Sequence, residues 1–149
     1  MNDDRNTPLG TFHLAEAWRA AADCLDAAGL DLPMSEAPVR YAYCHAIELH
    51  LKSFLRQRGM TEAELRGLGH NVATLAARCV QEGLQLSNDD VEVIAVAKTA
   101  NETIRSRYYE AGARLSMRIE KLRPVAAKIA RSVHGELQRA GLPSKLMRS

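Results

Sequence analysis

Aromatic residues make up only 5% of this chain, and glycine (9) and proline (5) are sparse in its 149 residues. Sandwiches and barrels lean on aromatic and β-branched residues, so this shortage points away from both. No apolar run reaches the length of a membrane span, and none is expected. The opening MNDDRNTPLG is polar and acidic without an apolar centre, so no secretory signal is read there. Cysteine is also scarce. Cys24, Cys44 and Cys79 are odd in number, far apart and without C-x-x-C spacing, which excludes a disulfide framework or a zinc site. They read as small core residues of a reduced, cytoplasmic protein. What the chain does have is alanine and leucine in quantity, the residues that favour helix. Its 46% hydrophobic and 26% charged content excludes global disorder. Its length suits one domain with a core large enough to need no staple.

Net charge is +2, but it is unevenly placed. Residues 1–97 hold 8 Lys/Arg against 14 Asp/Glu, or −6, and residues 98–149 hold 12 against 4, or +8. Such polarity implies an acidic partner for the second part or electrostatic mating of the two parts.

Periodicity predicts five helices and no strand. Residues 1–10 read as a flexible tail, with Thr11 placed to cap a first helix whose Leu14, Trp18, Ala21, Ala22 and Leu25 share a face. Gly29 ends it. A second helix is expected from about Pro38 to Arg58, with apolar rows through Val39, Ala42, Ala46 and Leu49 and through Tyr43, Ile47, Leu51 and Phe54. Thr61 to Glu64 fits a capping box for a single turn broken by Gly67 and Gly69. A third helix is expected to start at His70 or Asn71 and to bury Val72, Leu75, Ala76, Cys79 and Val80. Ser87 can cap a fourth, in which Val91, Ile94, Ala97, Asn101, Ile104 and Tyr108 repeat. A fifth, from about Leu115 to Ala140, carries Pro124, which should kink or split it. Residues 142–149 read as a flexible basic tail. The expected architecture is all-α, an antiparallel up-and-down bundle of four to five helices over 11–141.

Two stretches carry a family pattern. Glu48, Leu51 and Lys52 read E-x-x-L-K on an apolar helix, and His70, Asn71 and Leu75 follow as H-N-x-x-x-L after a loop. Trp18 to Leu25 and Ile104-Arg-Ser-Arg-Tyr-Tyr109 add further matches. In order and spacing these resemble the HEPN superfamily of small helical bundles. The resemblance implies a bundle that commonly forms a homodimer. Some members are ribonucleases or toxins of toxin–antitoxin and defence systems. Others partner a small nucleotidyltransferase or bind nucleotides. Ribonuclease members carry R-x(4–6)-H near the last core helix, and this chain departs from that. No histidine follows Arg105, Arg107 or Arg114 within the window, and Arg131 and His134 are three apart. Arg40 and His45 have the spacing but lie on the second helix, where they would point about 140° apart.

The candidate binding residues are Glu48, Lys52, His70, Arg105, Arg107 and Tyr108. Glu48 and Lys52 can form an ordinary surface pair worth about 0.3–0.5 kcal/mol, or border a cleft with His70. His70 can cap the third helix, with Asn71 as the alternative cap, or contact Glu48. Arg105, Arg107 and Tyr108 suit phosphate contact and base stacking, or simply end a helix. Arg114, Arg118, Lys121, Lys128 and Arg139 share a stripe that can track a phosphate backbone or pair with acidic neighbours. His13, His45, His50 and His134 read as polar-face residues, and no metal site or cofactor is expected. The expected function is non-catalytic binding of a nucleotide, RNA or a protein partner, with no catalytic residue assigned. The alternatives are a ribonuclease toxin that uses His70 as general base with Arg107, and a structural partner of a separately encoded nucleotidyltransferase. An antitoxin is a further expected partner, and a membrane is not.

Overall fold

A computed structural model describes residues 7–100 and 118–148, with the backbone alone at 97–100. Among the described residues the chain is all-α. Its helices are α1 (Pro8–Ala28), α2 (Glu36–Gln57), α3 (Glu62–Leu68), α4 (Val72–Gln81), α5 (Asn88–Ala100) and α6 (Ile119–Arg139). No strand occurs among those residues, and no helix there is long and apolar enough to cross a membrane.

The helix ends follow local chemistry. α1 starts earlier than the expected Thr11 cap because Thr7 Oγ1 accepts from the Gly10 N–H (2.9 Å) and Pro8 suits the first turn. The capping box at α3 is complete, with Thr61 Oγ1 accepting from Glu64 N–H (3.2 Å) and Glu64 Oε2 from Thr61 N–H (2.9 Å). It carries α3 through Gly67 for two turns instead of one, and Gly69 at φ 69° stops it. Asn71 caps α4, its side chain accepting from Ala73 N–H (3.1 Å) and Thr74 N–H (3.2 Å). Ser87 caps α5 at the Asp90 N–H (3.1 Å). α6 begins at Ile119, so Pro124 falls in its second turn, and the helix runs on as one piece. The missing N–H removes one bond near an end, where the ladder is least complete.

α2 is the central rod, packed against α1, α3, α4 and α6. Tyr43, Leu51, Phe54 and Leu55 of α2 are fully buried, as are Leu122, Ile129, Val133 and Leu137 of α6. Each such side chain contributes about 1.5–3 kcal/mol of burial. Cys79 of α4 is buried against α2, its thiol donating to the Leu51 carbonyl (3.4 Å), and burial pushes that thiol well above its ordinary value.

The buried face of α1 differs from the expected one. Phe12, Ala15, Glu16, Arg19 and Ala22 are buried, whereas Leu14 and Leu25 are 46% and 38% exposed. Two charged residues can take core positions here because they pair with each other (Arg19 Nε to Glu16 Oε1, 2.9 Å). Val80 and Val91 also stay exposed, contrary to the rows drawn for α4 and α5. Both flank their helix's buried positions, Cys79 on α4 and Asp90 and Ile94 on α5. The continuation of the α5 row, from Ala97 to Tyr108, lies outside the described side chains. Residues 142–148, expected as a mobile basic tail, are non-helical and lie along α1 and α6.

Candidate functional site

The convergent charges sit where α2 passes the start of α4. Glu48 lies mid-way along α2 among Tyr43, Ile47 and Leu51, and only 1% of its side chain is exposed. The sequence does not place it in the core, since an i,i+4 partner at Lys52 is the mark of a surface pair. Burial is tolerated because both carboxylate oxygens are served. His70 Nδ1–H donates to Oε1 at 3.0 Å, and Lys52 Nζ and His45 Nδ1 approach Oε2 at 3.6 and 3.7 Å. An ionised carboxylate beside Nδ1 fixes the His70 tautomer with its proton on Nδ1. Nε2 is then the nitrogen turned away from the carboxylate.

His70 is free for this contact because Asn71, not His70, caps α4. Gly69, at a positive φ of 69°, turns the chain immediately before it. The exposures are graded: Glu48 is hidden, Lys52 and His45 are 18% and 22% exposed, and His70 is 65% exposed. A molecule approaching this surface therefore meets the imidazole and the ammonium before the carboxylate. His45, expected on a polar face, instead stacks on Tyr41 (centroids 5.6 Å apart, 9° between planes) and meets Trp18 edge-on at 4.8 Å.

The structure thus brings Glu48, Lys52 and His70 together. Arg105, Arg107 and Tyr108 lie outside the described residues, as does Arg114. Of the remaining basic stripe, Lys128 pairs with Asp90 across α5 and α6 (3.5 Å) and Arg139 pairs with Glu136 on its own helix. Arg123 reaches Asp26 of α1. Lys128 and Arg123 therefore join the basic part of the chain to the acidic part. Among the described residues, no three His, Cys, Asp or Glu side chains are grouped to hold a metal ion.

A second polar cluster, unforeseen as a site, lies between α1, α2 and residue 147. His50, expected on a polar face, is fully buried, with Nε2 2.9 Å from Glu16 Oε1. Its signal is present in the sequence: position 50 falls on the same row as Tyr43, Ile47 and Phe54. Burial acts to raise the Glu16 carboxyl, but hydrogen bonds from His50, Arg19 and the Met147 N–H outweigh it and hold the group at about 2. Burial depresses His50 below the ordinary imidazole value, against the opposing pull of Glu16. Nearby, the Tyr43 hydroxyl donates to Asp23, and burial together with that carboxylate pushes the phenol up.

The chain matches no family model, no characterised protein and no solved structure.

Proposed function

We propose that this chain is a HEPN-like helical domain of the cytoplasm, an antiparallel bundle acting as a homodimer, that binds a nucleotide or RNA without transforming it. The observation that carries the reading is the contact of His70 Nδ1 with the buried Glu48 carboxylate (3.0 Å), with Lys52 alongside. It holds an outward imidazole and an ammonium beside each other over a hidden counter-charge, an arrangement that suits a phosphate. On sequence grounds Arg105 and Arg107 add further phosphate donors and Tyr108 a stacking surface. Fluorescence anisotropy with a labelled single-stranded RNA tests this. Binding should weaken as salt rises, and K52M and H70A should each weaken it about tenfold, the equivalent of one charge-assisted contact of about 1.4 kcal/mol. Absence of salt-dependent binding at about 100 µM protein, about 5 kcal/mol of affinity, refutes the reading.

One observation favours a second reading, a ribonuclease. A buried carboxylate that orients an exposed imidazole is the support a general base needs. Loss of bulk RNA with wild-type protein, abolished by H70A, would decide for it.

A further inference from the structure

His13, Glu16 and Arg19 form a row along α1 at three-residue spacing, and all three meet the main chain of residues 145–147. His13 Nε2 accepts from the Lys145 N–H (3.2 Å), and Glu16 Oε2 accepts from the Met147 N–H (2.7 Å). Arg19 donates from its guanidinium to the Met147 carbonyl (3.3 Å). One residue thus has both its N–H and its C=O read by a carboxylate and a guanidinium. From α6, Gln138 donates to the Ser144 carbonyl (3.0 Å), and His134 Nδ1 lies 2.7 Å from the Ser144 hydroxyl. The N–H groups of residues 145 and 147 face the same helix, which is the period-two alternation of an extended segment. Leu146 packs against the core as a partly buried anchor, while Leu142 belongs to the turn that ends α6, its N–H donating to the Leu137 carbonyl (2.9 Å) and its carbonyl accepting from the Ser144 N–H (2.9 Å).

The receiving side is held in place by groups other than the segment. Glu16 is fixed by His50 Nε2 (2.9 Å) and by Arg19 Nε and its terminal nitrogen (2.9 and 2.8 Å). Glu16, Arg19 and His50 are 6%, 3% and 0% exposed. A buried acid–base pair is costly unless its remaining hydrogen-bonding positions are filled. Here a peptide backbone fills them, and the side chains of residues 145 and 147 make none of these contacts. Recognition through the main chain, with alternate side chains supplying anchors, is how extended peptides are bound in general.

We propose that the groove between α1 and α6 is a binding site for an extended peptide of a partner protein, and that residues 144–148 occupy it in cis. The ligand has a small hydroxyl residue two before an apolar one, as in Ser144 and Leu146, and it enters by displacing this segment. A second copy of the chain would offer only the contacts already made in cis, where tethering holds the segment at an effective concentration on the order of millimolar. A partner peptide can improve on the resident one. The Leu146 anchor is only partly buried, and the Arg19 contact of 3.3 Å is long for a charged donor.

The test uses the full chain and a fluorescent peptide with the sequence of residues 144–148. Met147→Pro removes the N–H that Glu16 accepts and loosens the resident segment. The peptide should bind the M147P chain at least tenfold more tightly than the wild-type chain. Binding should fall about tenfold on adding Arg19→Met, and about tenfold when the peptide is N-methylated at its methionine. Should M147P lose its far-UV circular dichroism, the wild-type chain answers instead. Excess peptide should speed amide exchange at residues 145 and 147 at least fivefold, and the N-methylated peptide should not. Equal binding of both peptides to the M147P chain, or unchanged exchange with either, overturns the proposal. So does peptide-independent exchange of this segment between two copies, seen as a dimer that M147P dissociates.

Discussion

Replacing Glu48 by glutamine keeps the shape of the side chain and removes its charge, so it isolates what the carboxylate contributes. The His70 contact at 3.0 Å changes from a charge-assisted hydrogen bond, worth about 1.5–3 kcal/mol, to a neutral one worth about 0.5–1.5. The ion pair with Lys52 at 3.6 Å, worth about 0.2–1 kcal/mol for a partly exposed partner, is lost. Opposing both is the recovered desolvation of a charge that is 1% exposed, which alone would favour the amide. The network should win here, because both oxygens are already served and the new NH2 group faces an ammonium or an imidazole. The expected net loss is about 1–2 kcal/mol, or about 2–8 °C in Tm for a domain of this size. Urea unfolding at pH 7, followed by far-UV circular dichroism, should show a lower midpoint and an unchanged slope. A double-mutant cycle with His70→Ala should return about 0.5–1.5 kcal/mol of coupling. An E48Q chain at least as stable as wild type would mean that desolvation outweighs the network, and would remove Glu48 as the charge that organises the site.

Two further outcomes follow from buried groups. Glu16 is held at about 2 when folded, below the ordinary carboxylate range, so its contribution is full above that range and is lost as pH falls toward 2. His50 is also depressed, so its neutral form contributes above the ordinary imidazole range and is likewise lost on acidification. The urea midpoint should therefore begin to fall below about pH 6.5, the ordinary imidazole value, and keep falling into strong acid. Glu16→Gln should remove the carboxylate's share of the loss and, with its opposing pull gone, extend the imidazole's share to lower pH, and a wild-type midpoint constant from pH 7 to 3 contradicts both assignments. In the core, Phe54 is fully buried and also carries the Arg58 guanidinium 4.9 Å from its ring centre. Phe54→Ala should cost about 3–5 kcal/mol by calorimetry, and a loss below about 1 kcal/mol would contradict the packing.

Much of the helix layout can be read from short-range chemistry. Asn71, Ser87 and the Thr61–Glu64 pair announce helix starts because their side chains bond amides two or three residues away, a relation contained in the local sequence. Freeing His70 from capping duty depends on that same local rule, and its contact with Glu48 is one of the two readings open to it. The burial of Glu48 is not legible. Its protection comes from His70, twenty-two residues on, as well as from the neighbours that suggest a surface pair. The face of α1 is misread for a related reason. Leu14, Trp18 and Leu25 make a convincing apolar row, and nothing local reveals that Glu16 and Arg19 find His50 and the backbone of Met147 across the fold. Hydrophobic periodicity ranks faces by transfer energy, and a satisfied ion pair overrides that ranking. α6 starts at Ile119 because Arg118 is extended, which puts Pro124 in the second turn and not mid-helix.

The placement of the three thiols gives the molecule an internal reporter. Cys24 is exposed, whereas Cys44 and Cys79 are buried, and the Cys79 sulfur is kept in its unreactive protonated form between α4 and the Leu51 carbonyl. An alkylating reagent should modify the native chain at Cys24 at once. It can reach Cys79 only during excursions in which α4 lifts from α2. Since His70, which meets Glu48, lies two residues before α4, the labelling rate of that sulfur measures how often the candidate site comes apart.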